Sequence, residues 1–251
     1  MDIIKTVEKY YEKTACEKGI AGYSEFNKPI YYFAVEKSPS PVIIIQSAIH
    51  AREYITAYLS LYLAEDFKKR GKKGKVYFIP IANPDGVNIA LNDNPLYKAN
   101  GRGVDLNVNF DADWGTGEKN VKTAGAENYI GEYPFSEYET KTLRDFTIKV
   151  MPDATVSFHC KGEEIYYGYK DLPCEKDERI AAALGRASGY AVLKSAGSAG
   201  GYKDWCVLKL KIPAFTVEVG SDSLSHPLDK TALKDIIEKN RETLIVLTEL
   251  I

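Results

Sequence analysis

His50 and Glu53, three residues apart, are the first side chains in this 251-residue sequence whose types and spacing could do chemistry. The apolar run at 42–45 before them is typical of a buried strand, and a helical pattern begins at about Glu53. An imidazole and a carboxylate at such a junction can point the same way and supply two of the three protein ligands of a catalytic zinc. A helix start whose glutamate suits the helix dipole is the alternative.

The sequence has only three histidines, and two of them follow apolar, strand-like runs. His50 follows the run at 42–46, and His159 follows the run at 154–158. In open α/β sheets, ligands bind in the crevice beyond the strand ends. Two imidazoles expected at that rim, one of them near a glutamate, favour a metal site. His226 precedes a proline in a predicted turn, where a surface or packing role is expected.

The elements that must position these residues can be read from periodicity and turn residues. Residues 83–86 have turn chemistry, and Ser136 with Glu139 suggests a capping box. Helices are predicted at about 2–18, 53–70, 136–149, 175–188, 203–210 and 229–250, and strands at 31–35, 42–46, 76–81, 154–158, 164–169 and 214–219. No repeat, low-complexity tract or linker interrupts them, which predicts one domain over 1–251.

A long irregular segment, roughly 92–134, lies between the strand at 76–81 and the next helix. It is rich in Gly, Asn, Asp and Tyr. An irregular stretch of this length within a compact domain is either functional or disordered. Its many specific polar side chains favour a functional segment.

Composition excludes several classes of protein. The 33 Lys+Arg and 35 Asp+Glu are balanced, so no electrostatic footprint for nucleic acid is present. No apolar run approaches the length of a membrane span. Four scattered cysteines without a C-x-x-C pair argue against disulfides and cysteine-type zinc sites. The charged, amphipathic start does not resemble a signal peptide, so a cytoplasmic location is predicted.

Several motifs, in the same order along the chain, resemble those of the zinc carboxypeptidase family. They lie at 50–56, 83–86, 102–107, 109–110, 157–159, 200–205 and 215–218. The resemblance implies an α/β fold: a single-domain α/β/α sandwich with a mixed, mainly parallel central sheet. It also implies one Zn²⁺ per chain, held by His50, Glu53 and His159 with a position left for water.

The same resemblance assigns roles to five other residues. Glu218 would be the general base, and Arg102 would stabilise the oxyanion that develops in the transition state. Arg52, Asn107 and Lys203 would bind substrate.

The sequence departs from the family pattern where the substrate's terminal carboxylate is bound. The arginine that follows the motif asparagine is replaced by Val108, which cannot bind a carboxylate. The usual Ser-Tyr after the last zinc ligand is Cys160 and Lys161, and the flexible-loop tyrosine is Ala196. Lys203 occupies the position that sets side-chain preference, where a cation would favour a carboxylate and a solvated helix-start lysine is the alternative.

These features predict a zinc-dependent peptidase that hydrolyses an amide bond near the end of small peptides. The γ-D-glutamyl-diamino-acid bonds of cell-wall peptides are one candidate substrate, because they present their carboxylates differently. An ordinary carboxypeptidase for acidic C-terminal residues, with Lys203 or Lys161 replacing the arginine, is a second reading. A zinc-containing binding protein without turnover is a third, although binding alone requires neither Glu218 nor Arg102. An amide deacylase is weaker still, because the 200–205 motif belongs to the peptidases.

Overall fold

Eight strands form one sheet in the computed structural model, which describes residues 2–251. They are β1 (Glu17–Tyr23), β2 (Pro29–Glu36), β3 (Val42–Ser47), β4 (Lys75–Ile79), β5 (Ala154–His159), β6 (Glu164–Tyr167), β7 (Ala191–Lys194) and β8 (Ala214–Glu218). The helices are α1 (Ile3–Lys13), α2 (Ile55–Arg70), α3 (Pro84–Asn92), α4 (Tyr138–Val150), α5 (Glu175–Ser188), α6 (Tyr202–Trp205), α7 (Leu233–Asn240) and α8 (Thr243–Leu250). Short 3₁₀ turns cover Ala51–Glu53, Leu106–Val108 and Lys230–Ala232, and a π-helical stretch, Cys206–Leu210, continues α6.

The sheet is mixed and has a parallel centre. The strand order is β1-β2-β4-β3-β5-β8-β6-β7. The strands β4, β3, β5 and β8 run parallel, whereas β1, β2 and β4 pair antiparallel and β6 pairs antiparallel with β8. The predicted mixed sheet is therefore confirmed.

Both faces of the central strands are buried, which explains why their sequences are continuous apolar runs. In β3, Ile43 and Ile45 pack into the core that contains side chains of α2, α5 and α8. Ile44 points to the opposite face, into the core formed with α4 and α6. Helices thus cover both faces of the sheet, and the predicted α/β/α arrangement is confirmed.

The strand directions bring the candidate site residues to one edge of the sheet. β3, β5 and β8 are parallel neighbours, so their carboxyl ends meet there. His50 lies three residues beyond β3, while His159 and Glu218 are the last residues of β5 and β8 and stand opposite each other in register. A crevice at this edge is where a ligand is expected in an open α/β sheet.

The first predicted helix is too long, and two edge strands were not predicted. The helix ends at Lys13 because Thr14 is extended, and β1 follows it along β2. Gly19 lies under the ring of Tyr32, close enough that a Cβ there would meet the ring at 2.7 Å. β7, at the opposite edge, pairs only with β6 among the described strands. Edge strands depend on pairing with a distant neighbour, which local periodicity does not report.

Two local predictions in the middle of the chain are also wrong. Residues 83–86 begin α3: the Asn83 side chain accepts a hydrogen bond from the Gly86 backbone N–H at 2.9 Å, with a proline at the first helical position. The capping box is absent at α4, where Glu137 is the cap residue and makes no side-chain capping bond. Ser136 instead donates to the Glu137 carboxylate at 2.6 Å, and Glu139 accepts from Asn100.

The last predicted helix is interrupted. α7 ends at Asn240, where the Thr243 hydroxyl donates to the Asn240 carbonyl at 2.6 Å, and α8 begins at Thr243. Asn240 also donates to the hydroxyl of Tyr190 at 2.8 Å. All four cysteines are free. Within residues 2–251, no helix has the length and apolar character needed to cross a bilayer.

Candidate active site

Two histidines and one glutamate form a buried cluster at the carboxyl edge of the sheet. The Glu53 carboxylate lies 2.9 Å from His50 Nδ1 through Oε1 and 3.0 Å from His159 Nδ1 through Oε2. The two Nδ1 atoms are 3.2 Å apart, and one ligand-type atom from each residue lies within 4.8 Å of the others. All three side chains are buried. This donor set and its convergence fit a zinc ion with one position left open.

A chain of charged groups behind the cluster orients His50. The Nε2 atom of His50 lies 3.1 Å from Asp105 Oδ1, and Lys98 Nζ lies 2.7 Å from Asp105 Oδ2. The Asp105 carboxylate also accepts from the Asn107 backbone N–H at 3.0 Å. A carboxylate on the outer nitrogen of an imidazole fixes its tautomer and leaves the inner nitrogen free for a metal. Asp105 therefore positions His50, a role that the sequence analysis missed.

The electrostatics of the cluster favour a cation. Burial lowers the pKa of His159 and favours the neutral imidazole that a metal binds. Burial acts the same way on His50, but the charges of Glu53 and Asp105 outweigh it and raise its pKa to about 9. Burial raises the pKa of Glu53, yet the two imidazoles hold it well below its usual range. The buried carboxylates of Glu53 and Asp105 thus favour a positive charge beside them, which a divalent ion can supply.

Glu218 faces this cluster from the end of β8. It is half-buried and lines a cavity of about 340 Å³ together with His50. Burial and the charge of Glu53 raise the pKa of Glu218 to about 8. A cation held by the cluster would lower that pKa, because opposite charge favours the carboxylate. A carboxylate that opens to the cavity beside the cluster is placed to exchange protons with a ligand there.

The irregular segment 92–134 builds much of the cavity wall, and the loop at 195–201 builds another part. Gly200 has a φ of +82°, and a Cβ there would meet the backbone oxygen of Val108 at 2.6 Å. The two loops are joined by the Phe110 N–H, which donates to the Gly200 carbonyl at 2.8 Å. The predicted functional segment thus contributes directly to the cavity, with Lys98, Asp105, Asn107, Val108, Gly117, Glu118, Lys119, Asn120 and Asn128 along its wall.

Arg102 does not lie where its predicted role requires. Its side chain is 41% exposed, and its nearest acidic partners are Glu132 at 3.7 Å and Glu137 at 3.9 Å. It is not among the described residues that line the cavity. This placement does not support an oxyanion role for Arg102. Lys98, four residues earlier, lines the cavity instead and also bonds Asn128 Oδ1 at 2.7 Å.

The predicted substrate-binding residues divide into two groups. Asn107 and Lys203 line the cavity, and Asn107 Oδ1 accepts from the Tyr202 backbone N–H at 3.2 Å. Arg52 donates to the Leu96 carbonyl and the Glu127 carboxylate, each at 3.2 Å. Arg52 is next to Glu53 in the sequence, but it is not among the described residues that line the cavity.

The residues that depart from the family pattern differ in whether they line the cavity. Val108 and Ala196 line the cavity, so neither an arginine nor a tyrosine side chain is present at those points of the wall. Lys161 is paired with Asp222 Oδ1 at 2.7 Å and is not among the described wall residues. Lys161 is thus engaged elsewhere. Lys203 is the lysine at the predicted specificity position that faces the cavity.

Comparison with known proteins identifies the family. A model of the zinc carboxypeptidase family matches residues 2–244. The chain is 30% identical over 242 residues to the Gamma-D-glutamyl-L-diamino acid endopeptidase 1 of Lysinibacillus sphaericus, covering 78% of this chain and 61% of the relative. The chain thus spans less than two thirds of that relative's length. It is also 27% identical over 223 residues to a zinc carboxypeptidase of Simulium vittatum, covering 73% and 71% of the two chains.

Solved structures share the fold. The bovine thrombin-activatable fibrinolysis inhibitor, in complex with a tick carboxypeptidase inhibitor, superposes with a TM-score of 0.85 at 23% identity, covering 98% and 93% of the chains. The murein-tripeptide amidase MpaA from Escherichia coli O157 gives 0.66 at 22% identity, covering 93% and 91%. The family match, the shared fold and the buried His-Glu-His cluster agree with one another. The chain belongs to the zinc carboxypeptidase family.

Proposed function

We propose that this protein is a zinc-dependent peptidase that hydrolyses the amide between a γ-D-glutamyl group and a diamino acid in small cell-wall peptides. The observation that carries the substrate class is Val108. The wall retains the groups for hydrolysis, yet it presents an apolar side chain where the family's carboxypeptidases bind a free C-terminal carboxylate. The names of the L. sphaericus relative and of the E. coli amidase support the same substrate class.

The hydrolytic chemistry follows from the three metal-ligand residues and from Glu218. His50, Glu53 and His159 would hold zinc, which supplies a Lewis acid for the amide carbonyl and lowers the pKa of water. Glu218, opposite His159 in register, would accept a proton from the attacking water and return it to the leaving nitrogen. Both roles of Glu218 require a carboxylate that reaches the open side of the cluster.

Lys98 takes the oxyanion role that the sequence analysis gave to Arg102. Two of its ammonium hydrogens are engaged by Asp105 and Asn128, which leaves one donor on a side chain that lines the cavity. Its positive charge lowers the pKa of His50, of His159 and of Glu218. A cation held in place before the reaction stabilises the negative oxygen that develops in the transition state.

Replacing the two basic residues separately tests this assignment. Lys98→Met is expected to lower kcat about 10²- to 10³-fold, because it removes a fixed charge near the reacting carbonyl. Arg102→Met, the matched control, should change kcat by less than about threefold, because an exposed charge pair contributes little. Zinc content should be measured in both variants, since Lys98 also contacts Asp105. Equal losses of kcat in the two variants would return the oxyanion role to Arg102.

The Val108 substitution tests the substrate class. An arginine clamp makes two charge-assisted hydrogen bonds to a carboxylate, and its loss costs on the order of 2–4 kcal/mol. At about 1.4 kcal/mol per tenfold, wild-type kcat/KM for ordinary N-acylated dipeptides should be roughly 30- to 1000-fold below that for γ-D-glutamyl-diamino-acid peptides. Val108→Arg should raise the former and reduce the latter.

Val108→Met is the matched control, because it lengthens the side chain without adding charge. It should leave the preference between the two substrate types unchanged. A wild type that trims N-acylated dipeptides as fast as γ-glutamyl peptides would refute the proposed substrate class. It would favour the ordinary carboxypeptidase with acidic preference, for which the cavity-facing Lys203 is the supporting observation.

Four further expectations belong to this proposal. One Zn²⁺ per chain and small peptides as partners follow from the proposed chemistry. A cytoplasmic location remains a prediction, and the absence of nucleic-acid partners remains a prediction from the balanced charge.

A further inference from the structure

One buried amide joins the two segments of the chain that carry His50 and Lys98. Asn83 Nδ2 donates to the Ile49 carbonyl and to the Ala99 carbonyl, each at 3.0 Å. Ile49 directly precedes His50, and Ala99 directly follows Lys98. The Asn83 side chain is completely buried. It therefore bonds to the backbone beside the proposed metal ligand and to the backbone beside the proposed oxyanion cation.

The parallel pairing of β3 with β4 brings Asn83 to this place. The two strands end at the same edge of the sheet, and the Ala82 N–H donates to the Ser47 carbonyl at 3.0 Å just beyond them. Gly86, in the first turn of α3, lies so close to the Ala99 carbonyl that an added Cβ would overlap the oxygen. The start of α3 thus packs directly on the backbone of the irregular segment.

Every hydrogen-bonding group of the Asn83 side chain is engaged. A carboxamide has two N–H donors and one oxygen acceptor. Oδ1 accepts from the Gly86 N–H at 2.9 Å and caps α3, while the two donors bond to the two carbonyls. A helix cap needs only the acceptor, which serine, threonine or aspartate also supplies. The two donors of Asn83 therefore serve the backbone on either side of the site and not the cap.

The backbone that carries Lys98 depends on bonds of this kind for its position. Residues 93–105 contain no helix or strand, so no regular ladder fixes them against the metal cluster. The Ala51 N–H donates to the Lys98 carbonyl at 3.0 Å, and Asp105 contacts the end of the lysine side chain at 2.7 Å. Asn83 adds two bonds that hold both backbones at once. Groups that stabilise a transition state must be held within about 0.5 Å of the productive geometry.

We propose that Asn83 is a positioning residue for catalysis, whose amide fixes the distance between the His50 imidazole and the Lys98 ammonium. This inference rests on the roles of His50 and Lys98 in the proposed function. Without the two donors, two carbonyls beside the site lose their partner, which is costly for buried groups. The segment that carries Lys98 then shifts, and the backbone that supports His50 loses a contact.

Asn83→Ser separates this role from the helix cap. Serine keeps an acceptor for the Gly86 N–H, but its single hydroxyl hydrogen cannot serve both carbonyls. We expect kcat of the zinc-saturated variant to fall about 10- to 100-fold, because small displacements of catalytic groups have effects of this size. KM should change by less than about threefold, because Asn83 is not among the described residues that line the cavity. Wild-type kcat would overturn the proposal.

The zinc Kd, measured by competition with a chelator, is a second readout that does not depend on activity. It should rise about tenfold in Asn83→Ser, because groups that orient a metal ligand affect metal affinity. If Asn83→Ser does not fold, Asn83→Asp replaces it, since aspartate has the same shape and caps helices equally well but has no N–H donor. An unchanged zinc Kd would overturn the proposed support of His50.

Asn240→Ser is the matched control. Asn240 is also completely buried, and its Nδ2 donates to the Tyr190 hydroxyl and to the Ile236 carbonyl, each at 2.8 Å. It lies at the end of α7 and is not among the described residues of the cavity wall. This variant loses two donors of the same kind, so its Tm should fall, while kcat and the zinc Kd should change by less than about twofold. Equal losses of kcat in Asn83→Ser and Asn240→Ser would overturn the proposal.

A double-variant cycle with Lys98→Met identifies the path of the effect. In the Lys98→Met background, Asn83→Ser should lower kcat by less than about threefold, because the cation that Asn83 positions is already absent. Full additivity would overturn the proposal. The kcat values are measured with whichever amide substrate the wild type hydrolyses fastest. A protein that cleaves no γ-D-glutamyl peptide, but shows this pattern of kcat and zinc Kd, would support the role of Asn83 and overturn only the proposed substrate.

Discussion

Glu218→Gln is expected to lower kcat by about 10²- to 10⁴-fold while zinc content and substrate binding remain close to those of the wild type. Glutamine keeps the size of the side chain at the end of β8 but cannot accept a proton from water. The loss should therefore appear in kcat, and KM should change little. Zinc per chain, kcat and the Kd for an uncleaved substrate are the measurements.

Glu164→Gln is the matched control for this variant. Glu164 stands opposite Glu218 on the neighbouring strand, but its carboxylate accepts from the Tyr166 hydroxyl at 2.6 Å. Its substitution changes a nearby charge without removing the proposed base, so kcat should fall by less than about tenfold. Near-normal turnover in Glu218→Gln, or equal losses in both variants, would remove Glu218 from the mechanism.

The purified protein should contain about one zinc per chain, and His50→Ala or His159→Ala should each abolish tight zinc binding. Each substitution leaves only two of the three buried protein ligands, whereas a catalytic zinc site uses three. Activity should be lost together with the metal. Metal analysis after exhaustive dialysis gives the stoichiometry directly.

His226→Ala is the control, because His226 lies outside the cluster. That variant should retain one zinc per chain. Chelation of the wild type should also lower its Tm, because ligands that bind only the folded state stabilise it. Stoichiometric zinc in the His50→Ala, His159→Ala double variant would show that the metal binds elsewhere.

The positions of the candidate site residues could be predicted from the sequence because they depend on strong local patterns. The apolar runs before His50 and His159 are long enough to identify buried strands, and parallel strands must end at a common edge. Once those strands are placed, the position of Glu218 at the end of a third strand follows from the same rule. Local periodicity and residue type therefore predicted the sheet centre, whereas the roles of the ligand set and of the base came from the resemblance to the family.

Other features depended on contacts between distant segments. The edge strand β1 and the interruption between α7 and α8 depend on side chains far away in sequence, such as Tyr32 above Gly19 and Tyr190 beside Asn240. Ser136 and Glu139 have the spacing of a capping box, yet tertiary partners occupy their side chains. A local motif is overridden wherever a buried partner offers a better hydrogen bond.

Arg102 and Lys98 show that local sequence patterns also cannot identify every residue of the site. Both lie in a segment without periodicity, so nothing in the sequence indicates which cation faces the cavity. Asp105 determines that Lys98 faces the cavity, because the Asp105 carboxylate contacts both Lys98 and His50. The burial of Lys203 is likewise decided by the Gly168 carbonyl, which comes from another part of the chain. The sequence by itself determined which chemical groups are available, and only the tertiary structure decided which of them meet, because long-range packing fixes the direction of each side chain.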